Sequence, residues 1–123
     1  MHAADGLDEI SLDGDTYVAE LKDGQVTEYT LNPAQFGINS SASSRLAVHN
    51  IDEAKAKLHS VFDQQPGPAR DIVALNAGAA IYVAGLAASL NEGVEKAQDA
   101  IASGAAKAKL AQLIRFTQQF AAS

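Results

Sequence analysis

The sequence predicts an α+β chain: an acidic loop and a β-hairpin, followed by about four helices. Three observations lead there. Two β-rich runs, residues 16–21 and 26–31, flank Asp23-Gly24, a pair that tolerates the positive φ of a type I′ turn. From Asn50 onward apolar residues recur at helical spacing, broken by turn or cap chemistry at residues 64–68, 89 and 104. Strands and helices come as two blocks rather than in alternation, and no internal repeat is present.

Taken in order, residues 1–15 hold Asp5, Asp8, Glu9, Asp13 and Asp15 among Gly6 and Gly14. That is loop chemistry, with room for a short strand around residues 10–12. In the hairpin, the Asp23-Gly24 turn sets Leu21 opposite Val26 and Val18 opposite Tyr29. Two strands alone are marginal, so the hairpin is expected to lie on another element. Asn32 to Gly37 reads as one helical turn, with Pro33 first and Gly37 as its stop. Residues 39–44 are small and polar and read as a mobile surface connection. Asn50 with Glu53 opens the first helix in the manner of a capping box, with Ile51, Ala54, Leu58, Val61 and Phe62 as its stripe.

Pro68 opens the second helix, about residues 68–88. It is apolar nearly all round and is expected to be the most buried element. Gly78 and Gly85 within it imply close approach of another backbone, and Asn76 implies a buried amide satisfied by a neighbouring loop or carbonyl. Ser89 with Glu92 caps the third helix, whose stripe is Leu90, Val94, Ala97 and Ile101 and whose stop is Gly104. The last helix has Ala106, Leu110, Leu113, Ile114 and Phe120 on one side. One hairpin cannot cover so much apolar helix surface. Either the helices bundle around the second, or a sheet of a longer chain belongs against them.

Charge and composition exclude several functions. Nine Lys+Arg against fifteen Asp+Glu, a net charge of −6, leave no basic patch for nucleic acid or an anionic membrane. The absence of Cys excludes disulfides, thiol catalysis and Cys-type zinc sites, and fits the cytoplasm. Residues 1–6 lack the basic and apolar regions of a signal peptide. Residues 72–90 carry no charge, yet Ala and Gly dominate and Asn76, Tyr82 and Ser89 interrupt, so this is a core helix rather than a membrane span.

The motif with most chemistry is Asp5-Gly6-Leu7-Asp8-Glu9. Adjacent carboxylates point to opposite faces of a strand but can converge on a loop. Two neighbouring carboxylates, completed by substrate phosphates and water, are a common way of holding Mg²⁺. On residue type alone, such an exposed pair is as a rule merely solvated. Asp13-Gly14-Asp15 lacks the order of a calcium loop, His2, His49 and His59 lack zinc spacing, and no serine-nucleophile motif is present. Arg70, near a helix start, reads as a structural ion pair with a carboxylate such as Asp71.

Residues 2–11 resemble the His-Gly-x-Asp-Gly-Leu-Asp-Glu-x-Ser stretch of anthranilate phosphoribosyltransferases. The hairpin, Pro33 to Gly37, Gly67 to Ala77, Tyr82 to Gly85 and Ser103 to Ala106 resemble later stretches of the same family, in the same order. The resemblance implies an α/β family fold, with residues 1–123 as the C-terminal part of the phosphoribosyltransferase domain. It implies a transferase of tryptophan biosynthesis that joins anthranilate to phosphoribosyl pyrophosphate with Mg²⁺. By matching motif, Asp8 and Glu9 are the metal ligands, while His2 and Asp5 take no direct role. The family's N-terminal helical domain and Gly-Thr-Gly-Gly-Asp phosphate loop have no counterpart in these residues, so the isolated chain is expected to be inactive. The competing expectation is a non-catalytic α+β interaction or self-association module, with Asp8 and Glu9 solvated. A homo-oligomer is open under both.

Overall fold

The computed structural model describes residues 1–39 and 46–121. The elements are β1 (His2–Ala3), β2 (Thr16–Lys22), β3 (Gln25–Leu31), a 3₁₀ turn (Pro33–Phe36), α1 (Ile51–Phe62), α2 (Pro68–Val83), α3 (Leu90–Ala102) and α4 (Ala105–Gln118). The three strands form one antiparallel sheet in the order β1-β2-β3. This is the expected α+β arrangement. The surface connection expected over residues 39–44 falls almost wholly outside the described residues.

Local chemistry sets most of these boundaries. Asp23 and Gly24 take φ of 51° and 76°, which puts Leu21 against Val26 and Val18 against Tyr29. Asn32 closes a full capping box with Gln35, and Gly37, at φ 69°, ends the 3₁₀ turn. The Asn50 side chain accepts from the Glu53 amide at 2.8 Å, and the Ser89 hydroxyl from the Glu92 amide at 3.2 Å. The Glu92 carboxylate reaches back past the cap to the Ala88 amide, at 2.7 Å, and pairs with Lys96. That pairing, first through the Lys96 hydrogen bond, holds the Glu92 carboxyl below its ordinary value.

Four expectations are corrected. Residues 10–12 form no strand: they are buried coil, because side chains rather than a ladder take up their backbone groups. The short strand is instead β1, paired through His2↔Tyr17 and Ala3↔Thr16. The second helix ends at Val83, and Gly85 lies outside it at φ 74°, a left-handed stop rather than a close contact. Nor is α2 buried all round. Ala74, Leu75 and Gly78 are covered, but Val83 is 81% exposed. The stripe on α1 is real in sequence but uncovered, since only Val61 is buried and Ile51 is 84% exposed. Periodicity marks the face that wants a partner; the described residues do not supply one.

The core joins loop, hairpin and helices. Ile10 and Leu12 from the loop, Leu31 from β3, Ile38, Leu75 from α2 and Val94 from α3 form one buried cluster, with Val18 and Tyr29 packed on it. α2 crosses α3 at Gly78, where an added Cβ would stand 2.6 Å from the Val94 backbone nitrogen. The close approach expected at Gly78 is therefore present. Among the described residues no helix is long and apolar enough to cross a membrane.

A polar network seats the hairpin on α2. The Tyr82 hydroxyl donates to one Glu20 carboxylate oxygen at 2.7 Å, and the Tyr29 hydroxyl to the other at 3.1 Å. Lys22 donates to the Tyr82 oxygen at 3.2 Å, its ammonium 5.2 Å from the ring centroid. Burial, then the hydrogen bond and charge of Glu20, pushes the Tyr29 hydroxyl up to about 12 from 10.0. Above pH 10 the unfolded chain sheds this proton while the folded one keeps it. Stability from Tyr29 is thus whole below pH 10 and is lost as pH rises through about 12. Allowing for solvent screening, we expect a loss of about 1–2 kcal/mol across that window. Urea unfolding followed by circular dichroism should show it, with a correspondingly shallower alkaline slope in Tyr29→Phe.

Candidate functional site

The acid loop is built by backbone turns and two side-chain clamps. After β1 the chain folds back at once: the Gly6 amide donates to Ala3 O at 3.0 Å, and the Ala3 amide to Leu7 O at 2.9 Å. Gly6 sits at φ 95°, where a side chain would be strained. The Ala4 amide donates to Asp15 O at 2.8 Å and closes the base of the loop.

Asp5 is the first clamp. One carboxylate oxygen accepts from the Leu7 amide at 3.2 Å, and the other accepts the Ser11 hydroxyl. Ser11 is buried. Its amide donates to the hydroxyl oxygen of buried Thr16 at 3.3 Å, and its own oxygen accepts from the Asp13 amide at 3.0 Å. Both Asp5 oxygens therefore brace the loop.

Asn76, from α2, is the second clamp. Its Oδ1 accepts the Ile10 amide at 2.9 Å, and its Nδ2 donates to the Ile10 carbonyl and to the Ile72 carbonyl, each at 3.0 Å. This is the satisfied amide that the sequence implied, with its loop partner now identified.

Asp8 and Glu9 are adjacent at the exposed apex between these clamps. Among the described residues neither carboxylate enters an ion pair or a side-chain hydrogen bond. Glu9, with Asp5, Leu7, Ile72, Val73 and Asn76, lines an open and largely apolar cleft of about 590 Å³. The pair is thus presented to solvent on a braced loop.

The donor chemistry suits a hard cation. Two free carboxylates offer oxygen ligands, and no group of three or more His, Asp or Glu converges among the described residues. A pair of carboxylates is a number by which Mg²⁺ is commonly held alongside phosphate and water. His2 is exposed on β1. His49 precedes α1 and donates its amide to Glu53 at 2.8 Å, while His59 lies in the last turn of α1. Arg70 Nε stands 4.0 Å from Asp71 Oδ1, a loose version of the expected structural pair. What sequence reasoning missed is the bracing. Ser11 and Asp5 both stand in the motif, and the motif gives neither of them a task.

The family described as glycosyl transferase family, a/b domain, matches residues 1–107. An anthranilate phosphoribosyltransferase of Laribacter hongkongensis is 56% identical over 122 residues, which is 99% of this chain and 36% of that protein. One of Thiobacillus denitrificans is 56% identical over 119 residues, 97% of this chain and 35% of the relative. The crystal structure of anthranilate phosphoribosyltransferase from Thermus thermophilus superposes with a TM-score of 0.82 at 34% identity, over 94% of this chain and 34% of its own. The yeast enzyme in complex with 4-fluoroanthranilate shares the fold, with a TM-score of 0.70. The chain spans about a third of the length of these relatives.

Proposed function

This chain belongs to the glycosyl transferase family, a/b domain, and from that premise we propose that it forms the metal-holding part of an anthranilate phosphoribosyltransferase of tryptophan biosynthesis. The relatives' shared name supports the reaction class. The observation that bears most weight is the apex itself: two exposed carboxylates, adjacent in sequence and without an ion pair or side-chain hydrogen bond among the described residues, on a loop braced from both ends.

In this reading Asp8 and Glu9 would hold Mg²⁺ through their carboxylate oxygens, beside the phosphates of phosphoribosyl pyrophosphate. Bound there, Mg²⁺ supplies charge neutralisation for the departing pyrophosphate. Asp5 and Asn76 keep the apex presented. Anthranilate is the amine that takes the phosphoribosyl group. The cytoplasm is the compartment that goes with this proposal.

A second reading has an observation of its own. No residue of α4 is buried, and Leu113, Ile114, Phe116 and Phe120 are all exposed, with Phe116 and Phe120 stacked edge-on at 5.2 Å. Such a surface fits a self-association or interaction module. Titrating the isotope-labelled chain with Mg²⁺ separates the two. Saturable amide shifts centred on Asp8 and Glu9 support the metal reading; silence there leaves the interaction module. Assayed alone with both substrates and Mg²⁺, the chain is expected to give no turnover, because no glycine-rich phosphate loop occurs in its sequence. Turnover above background would overturn that expectation.

A further inference from the structure

We propose that Asn76 is the positioning residue of the acid loop: its carboxamide, rooted in α2, sets the backbone from which Asp8 and Glu9 meet a divalent cation. The inference rests on the metal reading above and adds the residue that makes the apex a defined site.

Peptide planes carry the geometry. The Ile10 amide belongs to the Glu9–Ile10 peptide, and the Ile10 carbonyl to the Ile10–Ser11 peptide. Asn76 grips both, at 2.9 and 3.0 Å. The Ser11 amide, bonded to Thr16 at 3.3 Å, holds the second plane from its other side. Upstream, the Leu7 carbonyl accepts from the Ala3 amide at 2.9 Å, which fixes the Leu7–Asp8 plane. The Asp8–Glu9 peptide is therefore suspended between two pinned planes, and Asn76 is the pin that comes from the helices.

The residue type and its footing both suit this task. Bonding the N–H and the C=O of one residue needs a donor and an acceptor on one short side chain, which a carboxamide has and a carboxylate lacks. The remaining Nδ2 hydrogen goes to the Ile72 carbonyl one turn back, so the rotamer is fixed as well. Asn76 stands directly after Ala74 and Leu75, each 1% exposed, and two residues before the Gly78 crossing with α3. It thus ties the apex to the best-packed part of α2.

The test uses the 123-residue chain, with Mn²⁺ as a paramagnetic probe of the apex and amide exchange as a probe of the clamp. In the wild type, Mn²⁺ should broaden the amides around residues 8 and 9. In Asn76→Ala, about tenfold more Mn²⁺ should be needed, as is usual when an outer-shell partner is lost. The Ile10 amide should exchange about tenfold faster, while the Leu75 amide stays protected. Alanine is a good helix former, so α2 itself is not weakened by this exchange. If that variant does not fold, Asn76→Gln takes its place. It keeps the amide on a longer reach, and should weaken Mn²⁺ binding relative to the wild type, by less than about tenfold. Wild-type Mn²⁺ affinity with an unprotected Ile10 amide, in either variant, overturns the proposal, as does an Ile10 amide that stays protected in the alanine variant. A wild-type chain that shows no broadening at residues 8 and 9 overturns the metal reading itself, and this inference with it.

Discussion

Gly93→Ala is expected to destabilise the chain by about 3 kcal/mol or more, although the same exchange in an unpacked helix gains up to about 1 kcal/mol. The reversal of sign comes from the α2–α3 crossing. A Cβ on Gly93 would be driven into the Gly78 carbonyl oxygen, with the Gly78 carbonyl carbon at 3.1 Å and its Cα at 3.4 Å. Those are backbone atoms in the middle of α2. They cannot rotate aside as a side chain would, so the two helices must separate. Separation loosens the core cluster, to which α2 contributes Leu75 and α3 Val94. Gly78→Ala attacks the same crossing from the other side, with its Cβ 2.6 Å from Val94 N and 2.7 Å from Val94 Cα. The two losses should not add, because the first methyl already forces the helices apart. Urea unfolding of both single variants and the double variant checks this. Wild-type stability in either single variant would show that the crossing is not tight.

The hairpin and the caps were legible in the sequence because their causes are local. Asp23-Gly24 needs only its own backbone freedom, and Asn32, Asn50 and Ser89 need partners two or three residues away. Gly78 and Gly85 look alike in an apolar run, yet one lies at a helix crossing and the other ends the helix. Only the position of α3 distinguishes them. Residues 10–12 look like a strand because Ile10 and Leu12 alternate with Ser11. They are coil because Asn76 and Thr16 satisfy their backbone, and Asn76 is 66 residues away. The site divides in the same way. The acid pair is visible as a motif, whereas its bracing depends on which side chains the fold brings alongside.

In a transferase chain containing this segment, Asp8→Asn together with Glu9→Gln is expected to lower kcat by about 10²–10³, the scale of losing a preorganised electrostatic contact at a reacting centre. Both exchanges keep shape and remove charge. Under the proposed metal reading both carboxylates would hold one ion, so each single exchange should account for most of the loss. The Mg²⁺ concentration giving half-maximal rate should rise in the single variants. Unfolding free energy should move by no more than about 0.5 kcal/mol. That follows from the geometry: both carboxylates are exposed and make no ion pair among the described residues, so the fold loses no partner when they become amides. Removing two adjacent like charges relieves a small repulsion besides. A carboxylate pair kept for stability would behave the other way, with unfolding affected and turnover spared. Full turnover in the double variant would remove Asp8 and Glu9 from the reaction. A large fall at unchanged stability and with a displaced Mg²⁺ dependence, set against the structural loss at Gly93, would assign the apex to chemistry and the α2–α3 crossing to its support.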